Sequence, residues 1–243
     1  MALGSSQLGA LEVVLTDFER TLGRLFEDPG CEKHVFDDIW GIYAEHDVPP
    51  GVREAAGESP YSLWTAAYEW MMECVPAADA EAVNQDVATR MTLHELEAAG
   101  SFRLLEGVPP VLERLQSWRI GVGVVSNNST KAVQQALQAN HVEDLIDKVF
   151  AREPDFRMQD LKPRPALLQE ALGHYGCAPD QAIFVGDSVI DMAAGKAAGI
   201  GLTVGVLDHS TASEDELSSA GARLVLKMFS DLEPLVLSTL QAS

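Results

Sequence analysis

The sequence predicts an α/β fold: a parallel sheet packed between helices in three layers, with an all-helical unit inserted after the first strand. Three observations carry this expectation. Short, almost purely apolar runs alternate with helix-period patterns along most of the chain. One long stretch breaks that alternation and reads as helical throughout. The polar residues that end successive apolar runs are acids, a hydroxyl and a lysine. Runs this apolar suit strands buried on both faces, as in a parallel sheet covered by helices. A chain of 243 residues with 47% hydrophobic content can build such a core and is too apolar for disorder.

After a loose lead-in, Val13–Leu15 is the first strand. Val122–Val125, Ala182–Val185 and Leu202–Val206 are further strands; Lys148–Phe150 is a weaker one and Leu224–Leu226 a last edge. Helices are expected at about Val111–Trp118, Thr130–Ala139, Ala166–Tyr175 and Ile190–Ala198, the last stopped by Gly199. Between Gly23 and Gly107 the apolar residues recur at helical spacing: Phe36, Ile39, Trp40 and Tyr43; then Trp64, Tyr68, Met71, Met72 and Val75; then Val83, Val87 and Met91. Pro49-Pro50 and Pro60 punctuate these helices. The expected division is a core of residues 1–22 and 108–243 and a helical unit of residues 23–107.

With 17 Lys+Arg against 37 Asp+Glu, the formal charge is −20. That field repels nucleic acid and anionic membrane, so neither is expected as a partner. A small anionic ligand would need a local positive centre, either a cation or a placed lysine. Cys31, Cys74 and Cys177 form neither a disulfide framework nor a zinc pattern, and the six histidines are scattered. No lysine or arginine precedes Arg20 and no apolar run is long enough to span a bilayer, so a reducing, cytoplasmic setting is expected.

In an open parallel sheet, ligands sit beyond the carboxyl ends of the strands. Four consecutive ends here supply reactive groups: Asp17-Phe18-Glu19-Arg20-Thr21, Ser126-Asn127, Lys162-Pro163 in the segment after the weak Lys148–Phe150 strand, and Gly186-Asp187-Ser188 with Asp191. Three aspartates, a glutamate, a lysine and a hydroxyl suit transfer of a phosphoryl group to a carboxylate, with a hard cation to neutralise charge.

In order and content these segments resemble the four motifs of the haloacid dehalogenase-like superfamily, in particular its phosphoglycolate phosphatase-like branch with a helical cap. The resemblance spans about Val13 to Val206. It implies a Rossmann-like core, with the helical unit of residues 23–107 as the cap, and a magnesium-dependent phosphatase acting on a small phosphorylated metabolite. Asp17 then falls on the nucleophile that becomes a phospho-aspartate, Glu19 on the general acid and base, and Lys162 on the lysine that balances nucleophile and phosphate. Thr21, Ser126, Asn127 and Lys162 fall on substrate and phosphate-binding positions. Mg²⁺ would be held by Asp17, Asp187 and the backbone carbonyl of Glu19, with Asp191 completing the acidic pair. A phosphomutase shares these motifs, and a non-catalytic phosphate-binding or regulatory domain would keep the fold. A dehalogenase resembles DxYGT, which Glu19 argues against. The usual motif is DxDGT; Glu19 replaces its second aspartate, as in the DxEGT of enolase-phosphatases, and Arg20 replaces its glycine, a residue chosen where backbone is tight or φ is positive.

Some of these residues also have plainer expectations. Ser126–Ser129 would cap the following helix, and Ser188 with Asp191 forms an acidic capping box. Trp64, Tyr68, Met71 and Met72 read as helical core rather than a ligand pocket. Lys33 invites comparison with the Schiff-base lysine of phosphonoacetaldehyde hydrolases, but its charged surroundings read as a solvated face. Gly195-Lys196 lacks the rest of a P-loop, and Gly121-Val122-Gly123 lies within a strand rather than at a strand-to-helix turn.

Overall fold

A computed structural model describes residues 10–26 and 29–242, which divide into two compact units: the chain up to Leu25 together with Ser101 onward, and Phe26–Gly100. In the first unit the strands are β1 (Val13–Thr16), β2 (Gly23–Arg24), β3 (Arg103–Leu104), β4 (Gly121–Ser129), β5 (Lys148–Arg152), β6 (Ala182–Gly186), β7 (Leu202–Val206) and β8 (Leu224–Leu226). Six of them form one sheet in the order β5-β4-β1-β6-β7-β8, parallel throughout. Every residue of β1, β6 and β7 is buried. Since successive side chains point to opposite faces, both faces of the sheet are covered. The fold is α/β, as the alternation of apolar runs implies.

The order of strands places the site. From β1 the chain moves outward to β4 and β5, then returns to the other side of β1 and moves outward again through β6, β7 and β8. The reversal makes the carboxyl ends of β1 and β6 a topological switch point, where open α/β sheets bind ligands. Asp17 and Asp187 each follow one of these strands directly.

The expected helices are present within a few residues of their predicted ends: Val108–Ser117, Thr130–Ala139, Ala166–Tyr175 and Val189–Ala198. Gly199 ends the last of these in the left-handed region, with φ 74°. Two features differ from expectation. β4 runs on to Ser129, with its register on β5 shifting between Val125 and Ser129. The stretch 23–107 is also not helical throughout. β2 and β3 pair antiparallel, Gly23 with Leu104 and Arg24 with Arg103, so residues 23–25 and 101–107 belong to the first unit. Gly23 is required there, because a Cβ would fall 2.2 Å from the ring of Phe102, which itself stacks on Phe18 with centroids 4.5 Å apart.

The Phe26–Gly100 unit contains α1 (Pro29–Glu45), α2 (Pro50–Ala55), α3 (Pro60–Cys74) and α4 (Ala77–Ala99). Phe36, Ile39, Tyr43, Trp64, Met71, Val83, Val87 and Met91 are buried in its core, whereas Met72 is 41% exposed and leaves the expected apolar stripe. Buried polar atoms between α3 and α4 are paired: Trp64 Nε1 donates to Asn84 Oδ1 (2.8 Å), and Glu81 accepts from Asn84 and from the Tyr68 hydroxyl. Lys33 is exposed and ion-paired to Asp37 one turn on, as expected of a solvated face. Among the described residues, no helix is long and apolar enough to cross a membrane.

Candidate active site

Asp17 is fixed twice. Its backbone N–H donates to Val185 O of β6 (2.8 Å), tying the end of β1 to its neighbour. Its carboxylate accepts from Lys162 Nζ at Oδ1 (2.5 Å) and from the Thr21 hydroxyl at Oδ2 (3.3 Å). The Thr21 hydroxyl also lies 3.4 Å from Asp187 Oδ1; with a single hydrogen it can serve one carboxylate at a time. Lys162, 5% exposed, spends its three donors on Asp17 Oδ1, Asp191 Oδ1 (2.6 Å) and Val125 O (2.9 Å). A buried ammonium is tolerable only when paired this fully.

Asp191 serves two purposes. Oδ1 pairs with Lys162, while Oδ2 accepts from the N–H and hydroxyl of Ser188, closing the expected capping box at the start of Val189–Ala198. Gly186 gives it room, since a Cβ there would lie 2.5 Å from the Asp191 Cβ. The Ser210 hydroxyl, after β7, donates to the Asp187 carbonyl and fixes the next turn.

Carboxylate oxygens of Asp17, Asp187 and Asp191 lie within 4.8 Å of one another, and all three residues are buried. The electrostatics follow. Burial raises the Asp17 pKa to about 6, against the lowering pull of Lys162 and with a further push from Asp191. Asp187 is raised well above the usual carboxylate range by burial and then by the charges of Asp191 and Asp17; Arg20 opposes this. Burial alone would lower the Lys162 pKa, but the charges and hydrogen bonds of Asp17 and Asp191 raise it above its ordinary value. Three buried carboxylates facing one ammonium leave negative charge unbalanced. Hard oxygen donors at this spacing fit Mg²⁺. Both oxygens of Asp17 and both of Asp191 already accept hydrogen bonds, so a bound cation would compete for them with Lys162, Thr21 and Ser188.

The remaining predicted residues are arranged as follows. Glu19 is half-buried, stands outside the three-carboxylate group, and accepts the Leu25 N–H at Oε2 (2.7 Å). Arg20 has φ 62°, the left-handed conformation that a glycine would adopt without strain. The Ser126 hydroxyl donates to Asn128 Oδ1 (2.9 Å) and accepts the Asn128 N–H (3.1 Å), while Ser129 is the residue that caps the following helix. Asn127 directs its side-chain amide at the backbone of Lys162. Two residues at the site were not singled out by the sequence reading: Arg152 and Ser210. Arg152 ends β5 and Ser210 follows β7, so the rule of examining polar residues at strand ends reaches both once those ends are placed correctly.

Residues 69–204 match the haloacid dehalogenase-like hydrolase family. The chain belongs to that family. A phosphoglycolate phosphatase of Haemophilus influenzae is 30% identical over 170 residues, covering 67% of this chain and 75% of the relative. The Escherichia coli phosphoglycolate phosphatase is 35% identical over 114 residues, 46% of this chain and 44% of the relative. The chain is accordingly a phosphatase-like member of the family. Among solved structures, a hydrolase from Pseudomonas syringae superposes with a TM-score of 0.66 at 18% identity, covering 93% of this chain and 97% of that one. A family hydrolase from Deinococcus radiodurans with bound phosphate and sodium gives 0.62 at 22% identity, over 94% and 96%.

Proposed function

We propose that this protein is a magnesium-dependent phosphatase that hydrolyses a small phosphorylated metabolite through a phospho-aspartate on Asp17. One observation supports it above the others: a buried Asp17 carboxylate held by Lys162 at 2.5 Å beside two further buried aspartates. Bound Mg²⁺ would supply Lewis-acid neutralisation of phosphate charge, held by Asp17, Asp187 and Asp191. The Asp17 carboxylate, with a pKa of about 6, is largely ionised at neutral pH and attacks phosphorus. The P–O bond to the alcohol breaks, and Glu19, two residues on, delivers the proton to the departing oxygen. Glu19 then takes a proton from the water that attacks the acyl phosphate, releasing inorganic phosphate and regenerating Asp17. The Lys162 ammonium stabilises charge on the transferring phosphoryl group, with Ser126 and Thr21 among the hydroxyls near it.

The helical unit of residues 26–100 takes the part of a cap in this reading, on the strength of its place in the chain after the first strand. Three free cysteines, two of them exposed, fit a reducing cytoplasmic setting. The names of the relatives make phosphoglycolate the first substrate to try. Phosphate release should be measured over a panel of phosphorylated acids and sugars, with magnesium and with a chelator. Hydrolysis that needs magnesium supports the proposal; hydrolysis undiminished in chelator, or none on any ester, sinks it.

A further inference from the structure

We propose that Asn127 and Arg152 are positioning residues that hold Lys162 in register with Asp17, and that the Asn127 side chain is not a phosphate ligand. The catalytic part of this inference rests on the phosphatase reading; the positioning part does not.

Lys162 stands in the connection between β5 and the Ala166–Tyr175 helix, outside any strand. A loop residue needs anchoring if its tip is to be accurate to a fraction of an ångström. The tip is held by three acceptors. The base is held by Asn127, whose Oδ1 accepts the Lys162 N–H and whose Nδ2 donates to the Lys162 carbonyl, both at 2.9 Å. A primary amide has one acceptor oxygen and two N–H donors. This two-point clamp takes the oxygen and one donor, and both bonds fall on a single residue's backbone.

Asn127 is itself secured from the other side. It lies where β4 leaves its regular register on β5, and such irregularities re-aim side chains next to sites. Arg152 is the ladder partner of Ser129 beyond the irregular stretch, and its Nε donates to the Asn127 carbonyl (3.1 Å). Its guanidinium also lies over the Phe156 ring, 5.6 Å from the centroid, and the residue is only 4% exposed. The result is a chain of contacts from Arg152 through Asn127 to Lys162 and so to Asp17 and Asp191.

The test uses the full-length chain with p-nitrophenyl phosphate and Mg²⁺, and inorganic phosphate as inhibitor. Asn127→Ala should lower kcat about 10²-fold, the loss typical of an ångström-scale misplacement, with KM and phosphate inhibition nearly unchanged. Asn127→Asp, close in shape, keeps the acceptor but loses the donor, and should lose kcat in the same sense if the alanine variant does not fold. Arg152→Met should lower kcat less, and the Asn127→Ala/Arg152→Met double variant should be no worse than Asn127→Ala alone. Native-state acetylation read by mass spectrometry gives a measure independent of activity: Lys162 should be protected in the wild type and labelled faster in Asn127→Ala, with Lys33 unchanged. Raised KM and weakened phosphate inhibition at unchanged kcat would make Asn127 a phosphate ligand and overturn the inference, as would additive losses in the double variant or unaltered Lys162 labelling. If the wild type hydrolyses no phosphate ester, the phosphatase reading fails and the labelling alone decides the positioning role.

Discussion

The β-carbon that Gly186 lacks would fall 2.5 Å from the Cβ of Asp191. The last residue of β6 therefore has to be glycine for Asp191 to reach Lys162. Gly186→Ala should push Asp191 aside and break a buried ion pair, at about 3–5 kcal/mol by chemical denaturation. Gly100→Ala is the control, because nothing lies within 4 Å of a Cβ there and its φ is −68°. Equal stabilities for the two variants would show that the crowding at Gly186 is relieved without displacing Asp191.

Asp187 should destabilise the metal-free protein at neutral pH. Its folded pKa lies above the unfolded value, so the folded state holds the proton longer and stability falls as pH rises through that interval. Asp17 adds the same sign between its ordinary 3.8 and about 6. Asp187→Asn should raise Tm at pH 7.5 by about 2–4 °C, the shift for roughly 1 kcal/mol in a chain of this size. The gain should shrink at pH 4 or when the wild type is saturated with Mg²⁺. A lower Tm for the variant in chelator would contradict it.

Arg20 places a positive charge against the proposed cation site, since it lowers the pKa of Asp187. Arg20→Gly removes that charge and suits the left-handed backbone. Magnesium should then bind more tightly, by roughly 3–10-fold for a unit charge partly screened by solvent. Calorimetric titration reads this directly; unchanged or weaker binding would show that the guanidinium does not act on the site.

Glu19 is the proposed proton carrier, and Glu19→Gln should lower turnover by about 10²–10⁴. Both formation and hydrolysis of the phospho-aspartate should slow, which single-turnover measurements separate. Near wild-type turnover would make the Leu25 N–H contact the whole role of this carboxylate.

The sequence made β1, β6 and β7 legible because each is apolar on both faces. It hid β2 and β3, whose two residues apiece are too short to show any period. It also cut β4 short at Val125, because Ser126–Ser129 reads as a polar cap when in fact the strand continues irregularly. Asp17 and Asp187 stood out as polar ends of apolar runs, and Lys162 stood out in the segment after the weak Lys148–Phe150 strand. Strand order did not, since β1 pairs with partners more than one hundred residues away. Nor did the Asn127 clamp, because a side chain bonded to another residue's backbone leaves no pattern in residue types.

The same long-range pairing has a consequence for how the chain is made. Synthesis at about 5–20 residues per second delivers β6 roughly 10–30 s after β1. Until β4 arrives, more than one hundred residues after β1, the apolar Val13-Val14-Leu15 has neither of its ladder partners, whereas Phe26–Gly100 contacts mostly itself and is complete by residue 100. Ribosome-bound chains arrested once Gly100 has cleared the exit tunnel should therefore resist protease within 26–100 while β1 is still cut. Protection of β1 at that length would mean that the first strand finds shelter before its sheet exists. Otherwise the strand that leads into Asp17 is also the one longest exposed to chaperones and to aggregation during its own synthesis.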